Sequence, residues 1–188
     1  MDIKDIITKS SDNVRSAIEI QKNVDLCKID LMKRLLKTIE EKVNYPRLYL
    51  YSDYEYDFDN YIQLRTYYKK QTWPAINYLY RTDSKFNIDI WVRIEIDHII
   101  FIGFCITNDG KKFPLKKDIK KQISNNVGDN IRDSWWINYE YIIETTTNEV
   151  PNFKEMNEAA IQLFDKDNFN KFVDICANKI EELLKSDY

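Results

Sequence analysis

Residues 88–106 read IDIWVRIEIDHIIFIGFCI, and this stretch decides the fold. In its first half, aliphatic side chains alternate with charged or aromatic ones, which is the period of a β-strand with one face in a core. The predicted core-facing residues are Ile88, Ile90, Val92, Ile94 and Ile96. The second half is apolar throughout, as in a central strand. With a turn at Asp97 and His98, the stretch predicts a β-hairpin whose first strand keeps one face free.

The composition indicates one folded domain, residues 1–188, with a sizeable core. Hydrophobic residues make up 44% of the chain and aromatic residues 14%, which excludes intrinsic disorder. No apolar run is long enough to cross a bilayer and the first residues are polar, so we expect a cytoplasmic location. Cys27, Cys105 and Cys176 lie far apart among apolar residues, and we expect buried free thiols in a reducing compartment.

The sequence argues against several common kinds of site. Only three glycines are present, so a glycine-rich phosphate-binding loop is not expected. The single histidine, His98, restricts histidine-based metal sites and catalytic triads to its own surroundings. The net charge of −3 excludes a generally basic nucleic-acid-binding protein but allows a local basic patch. We therefore predict no cofactor and no metal site.

Helices are predicted at both ends of the chain. Residues 12–43 carry apolar side chains at spacings of three and four, which predicts one long helix with Asn23 as a potential break. The apolar stripe of this helix is broad. It indicates contacts on more than one side, either with the sheet and another helix or with a second copy in a homodimer. Two further helices are predicted, one from Asn152 and one after Asp167.

The middle of the chain is predicted to consist mainly of strands. Residues 47–68 predict two strands, and residues 136–144 predict a last one. Pro74 suits the first turn of a short helix that reaches Tyr80, and Asn-Asp-Gly at residues 108–110 predicts a turn. The order of elements predicts an α+β fold. We expect a mainly antiparallel sheet of about five strands, with the long N-terminal helix and the two C-terminal helices packed on it.

The free face of the hairpin's first strand carries three carboxylates, on Asp89, Glu95 and Asp97. Carboxylates that converge on Mg²⁺ are the basis of two-metal nucleases, so a divergent metal-dependent nuclease is one interpretation. Such nucleases place a lysine two residues after the glutamate, where this chain has Asp97. Asp89 and Glu95 also lie roughly 20 Å apart on one strand. We therefore favour a solvated sheet face, with Arg93 paired to Glu95 or to a neighbouring strand.

A second candidate site is an acidic, tyrosine-rich segment, residues 53–59. Its proposed partner-binding residues are Asp53, Tyr54, Glu55, Tyr56, Asp57 and Asp59. In an extended strand the alternating acids lie at intervals of roughly 7 Å, close to the phosphate spacing of a nucleic-acid backbone. The segment could therefore occupy a basic groove of a partner protein. The alternative is an exposed edge hairpin that its charge keeps soluble.

A third candidate site is a lysine cluster around a predicted basic helix at residues 116–126. Its members are Lys111, Lys112, Lys116, Lys117, Lys120 and Lys121. These lysines could bind the phosphates of a nucleic acid or an acidic partner. No base-reading motif accompanies them, and a solvated helix face is the commoner explanation. Trp135 and Trp136 are interpreted as anchors of a core or an interface.

Three segments together resemble a known group of proteins. They are TWPAINYLYR (residues 72–81), WVRIEIDHIIFIGF (91–104) and WWINYEYI (135–142). They are similar to the C-terminal, non-catalytic region of a PD-(D/E)xK nuclease superfamily family of bacteria and phages. In that family the catalytic acids and lysine lie upstream of this region and have no counterpart here. The resemblance therefore implies an accessory domain without the nuclease portion.

These observations predict a non-enzymatic protein-binding domain of prokaryotic or phage origin. Its expected role is to inhibit or regulate a nucleic-acid-handling defence system through the acidic, tyrosine-rich segment. The expected partner is a protein, such as a nucleic-acid-binding or defence protein, and not a membrane. The alternatives are the divergent nuclease and a nucleic-acid-binding module that uses the lysine cluster.

Overall fold

The computed structural model describes residues 2–45, 74–113 and 135–186. These residues form a five-stranded antiparallel sheet with a long N-terminal helix and two C-terminal helices, which confirms the predicted α+β fold. The helices are α1 (Ile3–Ile7), α2 (Ser11–Lys42), α3 (Glu158–Gln162) and α4 (Lys166–Lys185). The strands are β1 (Ala75–Asp83), β2 (Ile88–Ile96), β3 (Ile100–Asn108), β4 (Lys111–Lys112) and β5 (Trp136–Tyr141).

The predicted hairpin is the centre of the sheet. Strands β2 and β3 pair in register from Asp89 opposite Thr107 to Ile96 opposite Ile100, which confirms the predicted turn at Asp97 and His98. Strand β1 pairs with β2, and both β4 and β5 pair with β3. The second predicted turn is also confirmed. Asp109 and Gly110 have φ of 49° and 71°, the left-handed values that a two-residue type I′ hairpin loop requires.

The segment after Pro74 is a strand, so the predicted short helix to Tyr80 is wrong. Residues 75–83 pair along β2, and the carbonyl of Pro74 accepts a hydrogen bond from the backbone N–H of Ile96 at 2.8 Å. Ile76 and Tyr78 are fully buried on the core face. Pairing with the central hairpin therefore outweighs the local preference of proline for a helix start.

The core lies between one sheet face and the helices. The core-facing residues of β2 are all buried, as the alternation predicted. Helix α2 contributes its second half, and α4 contributes its apolar stripe. The buried residues of these two helices are Ile29, Leu31, Met32, Leu35, Leu36 and Ile39 of α2, and Phe169, Phe172, Val173, Cys176, Ala177 and Ile180 of α4. Arg34 ties α2 to the C-terminal helices by donating to the carbonyl of Leu163 at 3.2 Å.

The helix boundaries differ in detail from the prediction. Helix α2 is continuous through Asn23, whose side-chain amide donates to the carbonyl of Glu19 at 3.0 Å without breaking the helix. Helix α3 begins at Glu158 and not at Asn152, because Met156 adopts a left-handed φ of 57° that interrupts helical backbone. Helix α4 begins just before the predicted position, at Lys166.

Strand β5 is held unusually close to β3. A Cβ atom on Gly103 would lie 2.1 Å from the backbone oxygen of Asn138, so only glycine fits at this position. The register of the two strands shifts between Phe104 and Cys105, which marks a bulge beside this contact. Gly103 therefore sets how β5 docks on the sheet.

A buried carboxylate organises the turn that follows β5. The strand ends at Tyr141 and not at residue 144 as predicted. The side chain of Glu144 is buried and accepts hydrogen bonds from the backbone N–H groups of Thr146 and Thr147, at 2.9 and 2.8 Å. Burial alone would raise the pKa of Glu144, but these hydrogen bonds and that of the Thr147 hydroxyl hold the pKa below its ordinary value.

Candidate functional site

The second face of β2 is mostly buried, so the prediction of a solvated sheet face is wrong for Glu95, although Asp89 and Asp97 are partly exposed. Three of the four β2 residues on this face, Trp91, Arg93 and Glu95, are only 5%, 1% and 5% exposed. Cross-strand pairing places Asn77 on one side of Arg93 and Gly103 on the other. Arg93 and Glu95 thus lie in a protein interior and not in water.

Arg93 is the centre of a buried polar group. Its Nε donates to Glu95 Oε2 at 2.6 Å, and its Nη1 donates to the Oδ1 of Asn77 at 2.7 Å. Its guanidinium carbon lies 4.9 Å from the centre of the Trp135 ring, a cation–π distance. Within the described part of the chain, its Nη2 is buried without a hydrogen-bond partner. The predicted pairing of Arg93 with Glu95 is confirmed, and its burial makes it far more consequential than a surface pair.

Aromatic side chains surround this polar group. The buried members of the cluster are Trp91, Phe101, Cys105, Trp135 and Trp136. The Trp91 indole donates to the hydroxyl of Thr107 at 2.8 Å, so its polar atom is satisfied. Burial raises the pKa of the Cys105 thiol well above its ordinary value, so this thiol is neutral. We call this surface of the sheet the tryptophan face, and it forms a second, smaller core.

The three carboxylates of the nuclease interpretation each contact a different neighbour and do not converge on one point. Asp89 accepts a hydrogen bond from the Thr82 hydroxyl at 2.7 Å, and Glu95 is held by Arg93. Asp97 lies in the hairpin turn, where it is 3.4 Å from the ring of His98. Among the residues that the structure describes, no group of three His, Cys, Asp or Glu side chains could hold a metal ion.

Only two members of the lysine cluster belong to the described residues. Lys111 is exposed, whereas Lys112 is partly buried, with its Nζ 4.6 Å from the centre of the Trp135 ring. Burial lowers the pKa of Lys112, and the nearby charge of Glu95 opposes that effect only in part. Lys112 therefore belongs to the rim of the tryptophan face, and Lys116, Lys117, Lys120 and Lys121 lie outside the described residues.

The acidic, tyrosine-rich segment also lies outside the described residues. Its six proposed contact residues, Asp53, Tyr54, Glu55, Tyr56, Asp57 and Asp59, remain predictions from the sequence. The described chain ends before this segment at Tyr45 and resumes after it at Pro74, which precedes strand β1.

A second apolar surface lies on the N-terminal helices. Residues 3–27, which comprise α1 and the first half of α2, form what we call the helical arm. Large apolar side chains of the arm are exposed to between 37% and 72%. They are Ile3, Ile6, Val14, Ile18, Ile20, Val24 and Leu26. Cys27 is exposed as well, which corrects the prediction that it is buried.

Comparisons with protein-family models, curated proteins and solved structures give no match to this chain. The resemblance to a region of PD-(D/E)xK nucleases therefore stays a prediction. In the described residues, no helix is both long and apolar enough to span a membrane.

Proposed function

We propose that this chain is a non-enzymatic protein-binding domain of prokaryotic or phage origin. The observation that supports this function is that the carboxylates on and beside β2 each contact a different neighbour. Asp89 bonds to Thr82, Glu95 is buried against Arg93, and Asp97 lies at a turn. Glu95 is the residue on which the nuclease interpretation depends most, and its carboxylate already neutralises a buried guanidinium.

The proposed contact surface is the acidic, tyrosine-rich segment. Four carboxylates, on Asp53, Glu55, Asp57 and Asp59, alternate with aromatic side chains, and no basic residue lies between Leu48 and Leu64. Such a segment offers regularly spaced negative charge together with rigid contact area. The partner that this chemistry fits is a protein with a basic, nucleic-acid-binding groove, so the proposed role is inhibition or regulation of a nucleic-acid-handling defence system.

The test is affinity capture from lysates of bacterial cells, uninfected and phage-infected, with quantification of the captured proteins. Substitution of Asp53, Glu55 and Asp57 by lysine should abolish capture of the specific partner. A matched control replaces Asp30, Glu41 and Glu182, three exposed acids on helices, and changes the net charge by the same amount. Excess DNA or RNA should displace the partner from the wild-type protein, because it competes for the same groove. Equal capture by both triple variants would contradict the proposal.

The nuclease alternative has its own direct test. The wild-type chain is incubated with labelled DNA and RNA in the presence of Mg²⁺ or Mn²⁺. We expect no cleavage above that of a Glu95→Gln variant. Metal-dependent cleavage that Glu95→Gln abolishes would replace the binding function with an enzymatic one.

A further inference from the structure

We draw no further inference here: the strongest candidate, the unpaired Nη2 of the buried Arg93 on the tryptophan face, belongs to the polar group already described, and nothing within the described residues indicates what it would bind.

Discussion

Replacing Arg93 by methionine tests how far the tryptophan face depends on its buried ion pair. The substitution keeps a long apolar stem but removes the charge and all donors of the guanidinium. Glu95, 5% exposed, then keeps a buried carboxylate without its counter-ion, and the Oδ1 of Asn77 loses the Nη1 donor. Asn77 and Glu95 are only 8% and 5% exposed, so water replaces the lost partner poorly at either group.

The expected loss follows from these contacts. Removing one partner of a buried ion pair costs about 3–5 kcal/mol of unfolding free energy. In the double variant Arg93→Met/Glu95→Met no buried charge remains, and the largest defect is the unpaired Asn77 oxygen, which costs ~1–3 kcal/mol. The double variant should therefore be more stable than Arg93→Met alone, by ~2 kcal/mol, although it removes more polar contacts.

Urea unfolding followed by tryptophan fluorescence measures these differences, because three indoles lie in the cluster around Arg93. A loss of ~4 kcal/mol should also lower the melting temperature by ~8–16 °C in a chain of this size. Arg93→Lys is the control that keeps the charge, and it should lie between the wild type and Arg93→Met. The single variant Glu95→Met completes the comparison. The reasoning is refuted if Arg93→Met costs less than ~1 kcal/mol, or if the double variant loses the full sum of the losses of Arg93→Met and Glu95→Met.

Three further predictions concern other parts of the fold. Gly103→Ala should destabilise the protein by ~3 kcal/mol, because the new Cβ would lie 2.1 Å from the backbone oxygen of Asn138 in β5. A loss of unfolding free energy below ~0.5 kcal/mol in urea unfolding would contradict this contact. The pKa of Glu144 is lower in the folded state, so its stabilisation is present above the ordinary glutamate pKa and is lost as the pH falls through the lowered value. Glu144→Gln should therefore lose ~1 kcal/mol at pH 7 and show a weaker acid destabilisation than the wild type, and identical pH profiles would exclude this role. Cys105 and Cys176 should resist a thiol reagent at pH 8 until the protein is unfolded, since burial raises the pKa of both thiols. Rapid labelling of either thiol in the native state would disprove its burial.

Much of the fold follows from local periodicity. The strict alternation over residues 88–96 identified the core face of β2, because successive side chains of a strand point to opposite faces whatever surrounds it. The spacing of apolar residues in α2 and α4 identified both long helices for the same reason. The segment after Pro74 could not be assigned in this way. Its conformation depends on pairing with β2, which local preferences do not report.

The candidate sites were harder to predict, because a local pattern of residue types does not show which side chains are covered by distant parts of the chain. The sequence predicted that Arg93 pairs with Glu95 or with a neighbouring strand, but it did not reveal that Asn77 and Trp135 converge on the same guanidinium. These residues come from distant parts of the chain, and only the sheet register and the position of the segment before β5 bring them together.

By itself, the sequence determined that residues 88–106 form a hairpin with an aliphatic core face, since alternation and turn chemistry act over a few residues. Only the tertiary structure decided the fate of the other face, because burial depends on what the rest of the chain places against it. The alternation alone allowed this face to be a solvent-exposed surface with carboxylates for a metal. In the structure Trp91, Arg93 and Glu95 are buried, and Arg93 and Glu95 form an ion pair among indole rings. The same dependence on distant packing left Cys27 exposed on an apolar helical arm.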